Sequence, residues 1–96
     1  MIKMRSVRRK VQKIIDGDTF LVRRKVNGSQ YIRVAGLNAP EKGQRGYMQA
    51  KRRLAKLKGH VVTLRPKGKS YGRTVAEVIF KRKKIGKLFS YEKNPL

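Results

Sequence analysis

The residues of this chain best suited to metal or acid–base chemistry are its few carboxylates. The sequence has five Asp and Glu among 96 residues, against 27 Lys and Arg. Asp16 and Asp18 flank Gly17, and Glu41 follows a second turn-like stretch, Leu37–Pro40. Oxygen ligands carried on loops suit a hard divalent cation. Asp and Gly are also ordinary turn residues, so the Asp-Gly-Asp stretch alone favours a plain tight turn over a metal site.

Composition and charge limit the possible partners. The net charge of +22 predicts an anionic partner, and DNA or RNA is the first candidate because the pI is about 11.5. An anionic membrane is less favoured, since we find no amphipathic helix with Trp or Phe on its apolar face. The chain has no Cys and a single His, which excludes thiolate and His-cluster metal sites. Without a signal-like or membrane-spanning run, we expect a soluble cytoplasmic protein, and no protein partner is implied.

The elements that must position the carboxylates form a β-rich pattern. Alternating apolar residues and turn signals predict five strands and one helix after the third strand, at 7–15, 19–26, 30–35, 44–58 (the helix), 60–65 and 73–80. Asn27-Gly28 is the strongest hairpin signal. This order predicts a mainly β (α+β) fold, a five-stranded OB-type barrel. We expect one domain at 7–91, a disordered basic lead-in at 1–6 and a frayed tail at 92–96.

Two further segments have less regular patterns. The stretch 66–72 contains Pro66, Gly68 and two lysines and is interpreted as a flexible basic loop. The stretch 85–91 is interpreted as a short sixth strand. On the helix, Tyr47, Ala50, Leu54 and Leu57 form one apolar stripe.

The helix carries cations opposite that stripe. They are Lys51, Arg52, Arg53 and Lys56, with no carboxylate among them. The face is either simply solvated or contacts phosphates, and both interpretations stay open. For the second, the predicted contacts are Lys51, Arg52 and Lys56, joined by Lys67 and Lys69.

Three short stretches resemble a known family. Ile15–Thr19, Arg33 leading into Leu37–Glu41, and Tyr71–Arg73 are similar to the signature stretches of the staphylococcal nuclease (thermonuclease) family. Their order and spacing and the place of the helix agree, over roughly 7–85. The resemblance implies an OB-type barrel that hydrolyses phosphodiester bonds of DNA and RNA with calcium.

The resemblance also implies a metal site. Asp18 would bind calcium directly, the backbone carbonyl of Ala39 would be a second ligand, and Asp16 would belong to the outer shell. Asn38 stands where the family has an aspartate. Its amide oxygen can still coordinate but brings no charge, so we expect weaker metal binding.

The remaining implied roles concern the phosphate. Arg33 and Arg73 would grip it, Glu41 would position or deprotonate the attacking water, and Tyr71 would contact a substrate phosphate. Guanidinium groups suit this task because their planar donors bind phosphate in a bidentate way. The family's C-terminal helices are expected to be missing here.

The resulting hypothesis is a calcium-dependent endonuclease without strong sequence specificity. The alternative is a nucleic-acid-binding or chromosome-coating protein on the same barrel, which holds DNA or RNA without cutting it.

Overall fold

A small β-barrel with two helices makes up the structure. The computed structural model describes residues 5–93. The strands are β1 (Val7–Asp16), β2 (Thr19–Val26), β3 (Ser29–Val34), β4 (Val61–Ser70), β5 (Arg73–Phe80) and β6 (Lys83–Lys84). The helices are α1 (Tyr47–Leu54), which continues as a 3-10 turn at Ala55–Leu57, and α2 (Ile85–Lys93).

The barrel closes through one parallel pairing. β1 pairs antiparallel with β2 and β4, β2 with β3, and β4 with β5. β3 and β5 then pair in parallel, which joins the two ends of the sheet, and β6 lies outside the barrel on β5. The predicted five-stranded OB-type barrel with a helix after the third strand is confirmed.

Alternation along the strands fills the barrel. Inward side chains such as Val22, Ile32 and Leu64 are completely buried, because successive strand residues point to opposite faces. The predicted stripe on α1 is also confirmed. Its members, including Tyr47 and Leu54, are all buried.

The first helix is shorter than predicted. It begins at Tyr47 rather than at residue 44. Gly43 and Gly46 have φ angles of 91° and 87°, in the left-handed region that interrupts a right-handed helix. Gln44 instead takes part in a turn with Glu41.

The predicted flexible loop at 66–72 is wrong. β4 runs on to Ser70, and only Tyr71-Gly72 turn, with φ angles of 50° and 76°. A register shift between Pro66 and Gly68 accommodates the proline, which cannot donate to a regular ladder. Lys67 is therefore the extra residue at this shift, and Lys69 lies in the regular ladder opposite Thr74.

The predicted strand at 85–91 is also wrong. Residues Ile85–Lys93 form α2, since Ile85 and Phe89 are spaced by one helical turn and both are buried. The barrel is thus followed by one helix, against the expectation of none. Ser90 Oγ donates to the Gly36 carbonyl (2.8 Å), and Gly86 packs directly on the Ala35 carbonyl. No helix within the described 5–93 is long and apolar enough to span a bilayer.

The predicted ends of the domain are only partly described. Residues 1–4 of the lead-in and 94–96 of the tail lie outside the described residues, and residues 92 and 93 belong to α2.

Candidate active site

Asp18 lies at the centre of the candidate site. Its side chain is 16% exposed. The Thr19 hydroxyl donates to Oδ1 (3.0 Å), and the Ala39 backbone N–H donates to Oδ2 (3.3 Å). Arg33 Nη2 lies 3.5 Å from the same Oδ2. Donors from three separate segments of the chain therefore fix this carboxylate.

Arg33 joins Asp18 to the second loop. It stands on β3 directly opposite Thr19 of β2, so the strand register brings it to the Asp-Gly-Asp turn. Its Nη2 donates to Asn38 Oδ1 (3.0 Å), and its Nη1 donates to the Val34 carbonyl. One guanidinium nitrogen therefore contacts both oxygen-bearing side chains that were predicted to bind metal.

Arg73 reaches the same carboxylate through a hydroxyl. Its Nη1 donates to Thr19 Oγ1 (3.3 Å), and its Nε donates to the Ser70 carbonyl (3.2 Å). Thr19 is 1% exposed and donates in turn to Asp18. Two guanidinium groups thus converge on Asp18, one directly and one through Thr19. We did not predict this role for Thr19. The only signal in the sequence is that a residue with a hydroxyl directly follows Asp18, at the start of a strand.

Gly17 lets the two loops and the helix close on each other. A Cβ on Gly17 would lie 2.7 Å from the Cβ atoms of both Ala39 and Ala50. Real Cβ contacts are not that short, so only glycine fits between the second loop and α1 at this point.

Asp16 contacts α1. The Tyr47 hydroxyl donates to Asp16 Oδ1 (2.9 Å). This hydrogen bond, with burial and the charge of Asp16 adding to it, raises the pKa of Tyr47 above 10.0. The helical spacing predicts only an apolar role for Tyr47, because the sequence carries no signal of the partner of its hydroxyl.

The Tyr47 pKa gives a test of this contact. Tyr47 should form its phenolate at higher pH than an ordinary tyrosine, and Asp16→Asn should lower its pKa towards 10.0. Because the pKa is higher in the folded state than in the unfolded state, this contact stabilises the fold. Its full contribution is present below about pH 10 and is lost as the pH rises through the pKa of Tyr47 in the folded protein. The absorbance of the phenolate during alkaline titration gives the pKa of Tyr47 in the wild type and in Asp16→Asn. Comparison with Tyr47→Phe identifies the part of the signal that comes from Tyr47. An unchanged titration curve in Asp16→Asn would contradict the contact.

Glu41 lies outside the hydrogen-bonded group. Its backbone N–H donates to Gln44 Oε1 (2.7 Å), and its carbonyl accepts from the Gln44 N–H (2.8 Å), which fixes a turn. Its side chain is exposed and forms no ion pair or hydrogen bond with the rest of residues 5–93.

Of the predicted substrate contacts on the β4–β5 hairpin, Tyr71 lies beside Arg73. Tyr71 is 95% exposed, and its ring centroid lies 6.0 Å from the Arg73 guanidinium. Lys69 Nζ lies 3.2 Å from where a Cβ on Gly28 would stand, so it covers the β2–β3 turn. Lys67 is exposed on the same strand.

The cations of α1 form a separate surface. Lys51 and Arg52 line a groove of about 360 Å³ together with Lys13 and Lys58. The Lys51 ammonium lies 5.9 Å from the Tyr47 ring centroid. Lys56 is exposed. Within the part of the chain that the structure describes, no hydrogen bond or ion pair joins these residues to Arg33 or Arg73.

The side-chain oxygens of Asp18 and Asn38 are atoms of the type that a hard cation prefers as ligands. Within residues 5–93 no three His, Asp or Glu side chains gather closely enough to hold a metal ion. Asp18 and Asn38 nevertheless direct oxygens at one point, the position of Arg33 Nη2. Carboxylate and amide oxygens are calcium ligands. Ala39 is adjacent, but its observed contact with Asp18 is through its N–H.

In comparison with known proteins, the chain matches no protein-family model and no curated protein.

Proposed function

We propose that this protein is a calcium-dependent endonuclease that hydrolyses phosphodiester bonds of DNA and RNA. The observation that supports it best is the convergence of Arg33 and Arg73 on Asp18, through the contacts of 3.5 Å and 3.3 Å given above. A protein that only binds phosphates gains nothing from a carboxylate at the centre of its arginines, because that carboxylate repels the ligand.

The arginines suit the transition state of phosphodiester hydrolysis. Negative charge builds on the phosphoryl oxygens as the water attacks, and preorganised donors aimed at those oxygens lower the barrier. Arg33 and Arg73 are each held by further hydrogen bonds, to Val34 and Ser70, so they are ordered before substrate arrives. In the proposal each guanidinium binds one side of the phosphate.

Glu41 is the proposed general base. Its exposed carboxylate has no ion-pair partner within the described chain, so it is available to accept a proton from water. The turn with Gln44 holds its backbone while leaving the side chain directed to solvent.

Asp18, Asn38 and the Ala39 carbonyl would hold the cation, with Asp16 outside them. A bound divalent cation supplies positive charge that helps neutralise the phosphate and orient substrate and water. Arg33 contacts the same oxygens of Asp18 and Asn38. It would have to share them with the cation.

Asn38→Asp should strengthen calcium binding. The change adds one negative charge to a side chain that accepts from Arg33 beside Asp18. Opposite charges about 4 Å apart attract by about 4 kcal/mol at an effective dielectric near 20, before desolvation and the repulsion from Asp18 are subtracted. We expect a net gain of about 1–2 kcal/mol, or about tenfold tighter binding.

Calorimetric titration with Ca²⁺ measures this effect, and cleavage at limiting Ca²⁺ should rise with it. Asn27→Asp is the matched control, because it adds the same charge at the β2–β3 turn, where Asp tolerates the observed φ of 49°. Equal affinities in Asn38→Asp and Asn27→Asp would show that position 38 does not face the cation.

A nucleic-acid-binding protein without activity is the second candidate. Both oxygens of Asp18 already accept hydrogen bonds, and Asn38 brings no charge, which favours this alternative. Incubating supercoiled plasmid and single-stranded RNA with the protein, with Ca²⁺ or with EDTA, separates the two. Calcium-dependent products support the endonuclease, and intact substrate under both conditions supports the binding protein.

A further inference from the structure

β2 contains a three-residue bulge made only of cations. Leu21 faces Tyr31 and Val26 faces Ser29, so β2 advances five residues while β3 advances two. Four residues of β2, Val22–Lys25, therefore lie opposite Gln30 alone. Val22 is buried, and the three cations that follow it, Arg23–Lys25, are all exposed. In a regular strand the middle residue would point to the opposite face. We call Arg23–Lys25 the cationic bulge.

Two side chains hold the backbone of the cationic bulge. Gln30 Nε2 donates to the carbonyls of Val22 (3.3 Å) and Arg23 (2.9 Å). Arg9 donates to the next two carbonyls, from Nε (3.2 Å) and from Nη2 (3.5 Å). Four consecutive carbonyls are therefore satisfied by side chains, which fixes the bulge and leaves its three cations to solvent. Conformations of this kind re-aim side chains.

The charge around the cationic bulge is uncompensated within the described chain. Arg9 brings a fourth positive charge, and Lys69 covers the turn that follows. None of the described carboxylates contacts the cationic bulge: Asp16 bonds Tyr47, Asp18 contacts Arg33, Glu77 pairs with Arg65 and Lys84, and Glu41 lies on another loop. Such self-repulsion is relieved when an anion binds.

We propose that the cationic bulge is a docking site for the phosphate backbone of a nucleic acid, separate from the candidate active site. The inference rests on the proposed nucleic-acid partner. The flanking pairs, Leu21 with Tyr31 and Val26 with Ser29, span two residues of β3, or about 7 Å. Three cations gathered in this short span present one positive charge for each of up to three phosphates of a nucleic-acid strand, which carries one negative charge per phosphate.

The same strand connects the cationic bulge to the candidate site. Arg24 is five residues from Thr19 along β2, so the two lie at most about 17 Å apart. One nucleic acid strand can thus contact both, with the cationic bulge holding phosphates several nucleotides away from the one that is cut.

Salt-dependent binding tests the proposal. The triple variant Arg23→Gln, Arg24→Gln, Lys25→Gln is compared with the control Arg82→Gln, Lys83→Gln, Lys87→Gln, which removes the same charge from exposed residues near β6 and α2. Fluorescence anisotropy of a labelled duplex in EDTA gives the affinity. The slope of log K against log salt should become less steep by about 2.7 in the bulge variant, at ~0.9 per lost contact, and by under ~1 in the control. Equal changes in both would overturn the proposal.

Gln30→Ala provides a second test that removes no charge. It frees two carbonyls of the bulge, so duplex affinity should fall by about threefold or more while the salt slope stays unchanged. If circular dichroism shows that the triple variant is unfolded, the affinity of Gln30→Ala for the duplex becomes the deciding test. An affinity equal to that of the wild type would overturn the proposal.

Two further measurements separate this proposal from the proposed function. A dinucleotide has a single internucleotide phosphate, which is the one to be cleaved, so it offers none to the cationic bulge, and the bulge variant should cleave it at the wild-type rate with Ca²⁺. No cleavage by either protein refutes the endonuclease, and the anisotropy result still decides the docking site. Binding to phosphatidylserine vesicles without binding to duplex would overturn the docking site.

Discussion

Arg73→Lys is expected to lower the rate of phosphodiester cleavage by about 10²–10³-fold, the typical cost of removing one oriented donor. Arg73 donates in two directions, to Thr19 and to Ser70. A lysine ammonium keeps the charge but cannot reproduce this planar arrangement. Nucleic-acid affinity should change little, because the charge of one residue is kept among 27 Lys and Arg.

Single-turnover cleavage of plasmid measures the rate, and anisotropy measures the affinity. Arg65→Lys is the matched control, since Arg65 is exposed and its partner is Glu77 (3.7 Å), away from Asp18. It should cleave at the wild-type rate. If Arg73→Lys and Arg65→Lys cleave equally fast, Arg73 contributes only bulk charge.

Gly17→Ala should destabilise the fold and remove activity together. The new methyl group meets Ala39 and Ala50 at 2.7 Å, and neither neighbour is a flexible chain end. Overpacking of this kind costs about 1–3 kcal/mol, which corresponds to a fall in Tm of about 4–8 °C per kcal/mol for a domain of this size. Because the clash separates the Asp-Gly-Asp turn from the second loop, the contact from Ala39 to Asp18 is lost as well.

Thermal unfolding followed by circular dichroism tests this expectation. Gly68→Ala is the control, because a Cβ there meets nothing within 4 Å. Its Tm should stay within a few degrees of the wild type. A Gly17→Ala protein as stable as Gly68→Ala would contradict the close packing of turn, loop and helix.

The barrel could be predicted because its signals are local. Asn27-Gly28 was read as a hairpin turn, and the two residues have φ angles of 49° and 85°. β3 and the first half of β2 are rich in Val, Ile, Phe and Tyr, which favour strands, so their type follows from short stretches of sequence.

The predictions of secondary structure that were wrong concern segments whose structure depends on contacts with distant parts of the chain. Pro66 and Gly68 are local signals of a loop, but pairing with β5 extends β4 through them. The stretch 85–91 is too short for periodicity to distinguish strand from helix, and the packing of Gly86 against Ala35 selects the helix.

The candidate site was predictable as a set of loops but not as a set of contacts. Asp18 and Arg33 were both singled out, yet their proximity depends on the register of β2 against β3. The bridging hydroxyl of Thr19 and the cationic bulge depend on the same register. A register shift cannot be read from either strand alone, because it arises from a mismatch in length between the two.

The proposed general base provides the most direct test of the endonuclease. Plasmid cleavage by wild type and by Glu41→Gln is measured with Ca²⁺ and with EDTA, at protein concentrations that give equal DNA occupancy by anisotropy. We expect calcium-dependent cleavage by the wild type, about 10²-fold or more slower in Glu41→Gln, with unchanged binding. Wild-type cleavage with Ca²⁺ that does not exceed the Glu41→Gln background would contradict the endonuclease and leave a protein that binds nucleic acid without cutting it.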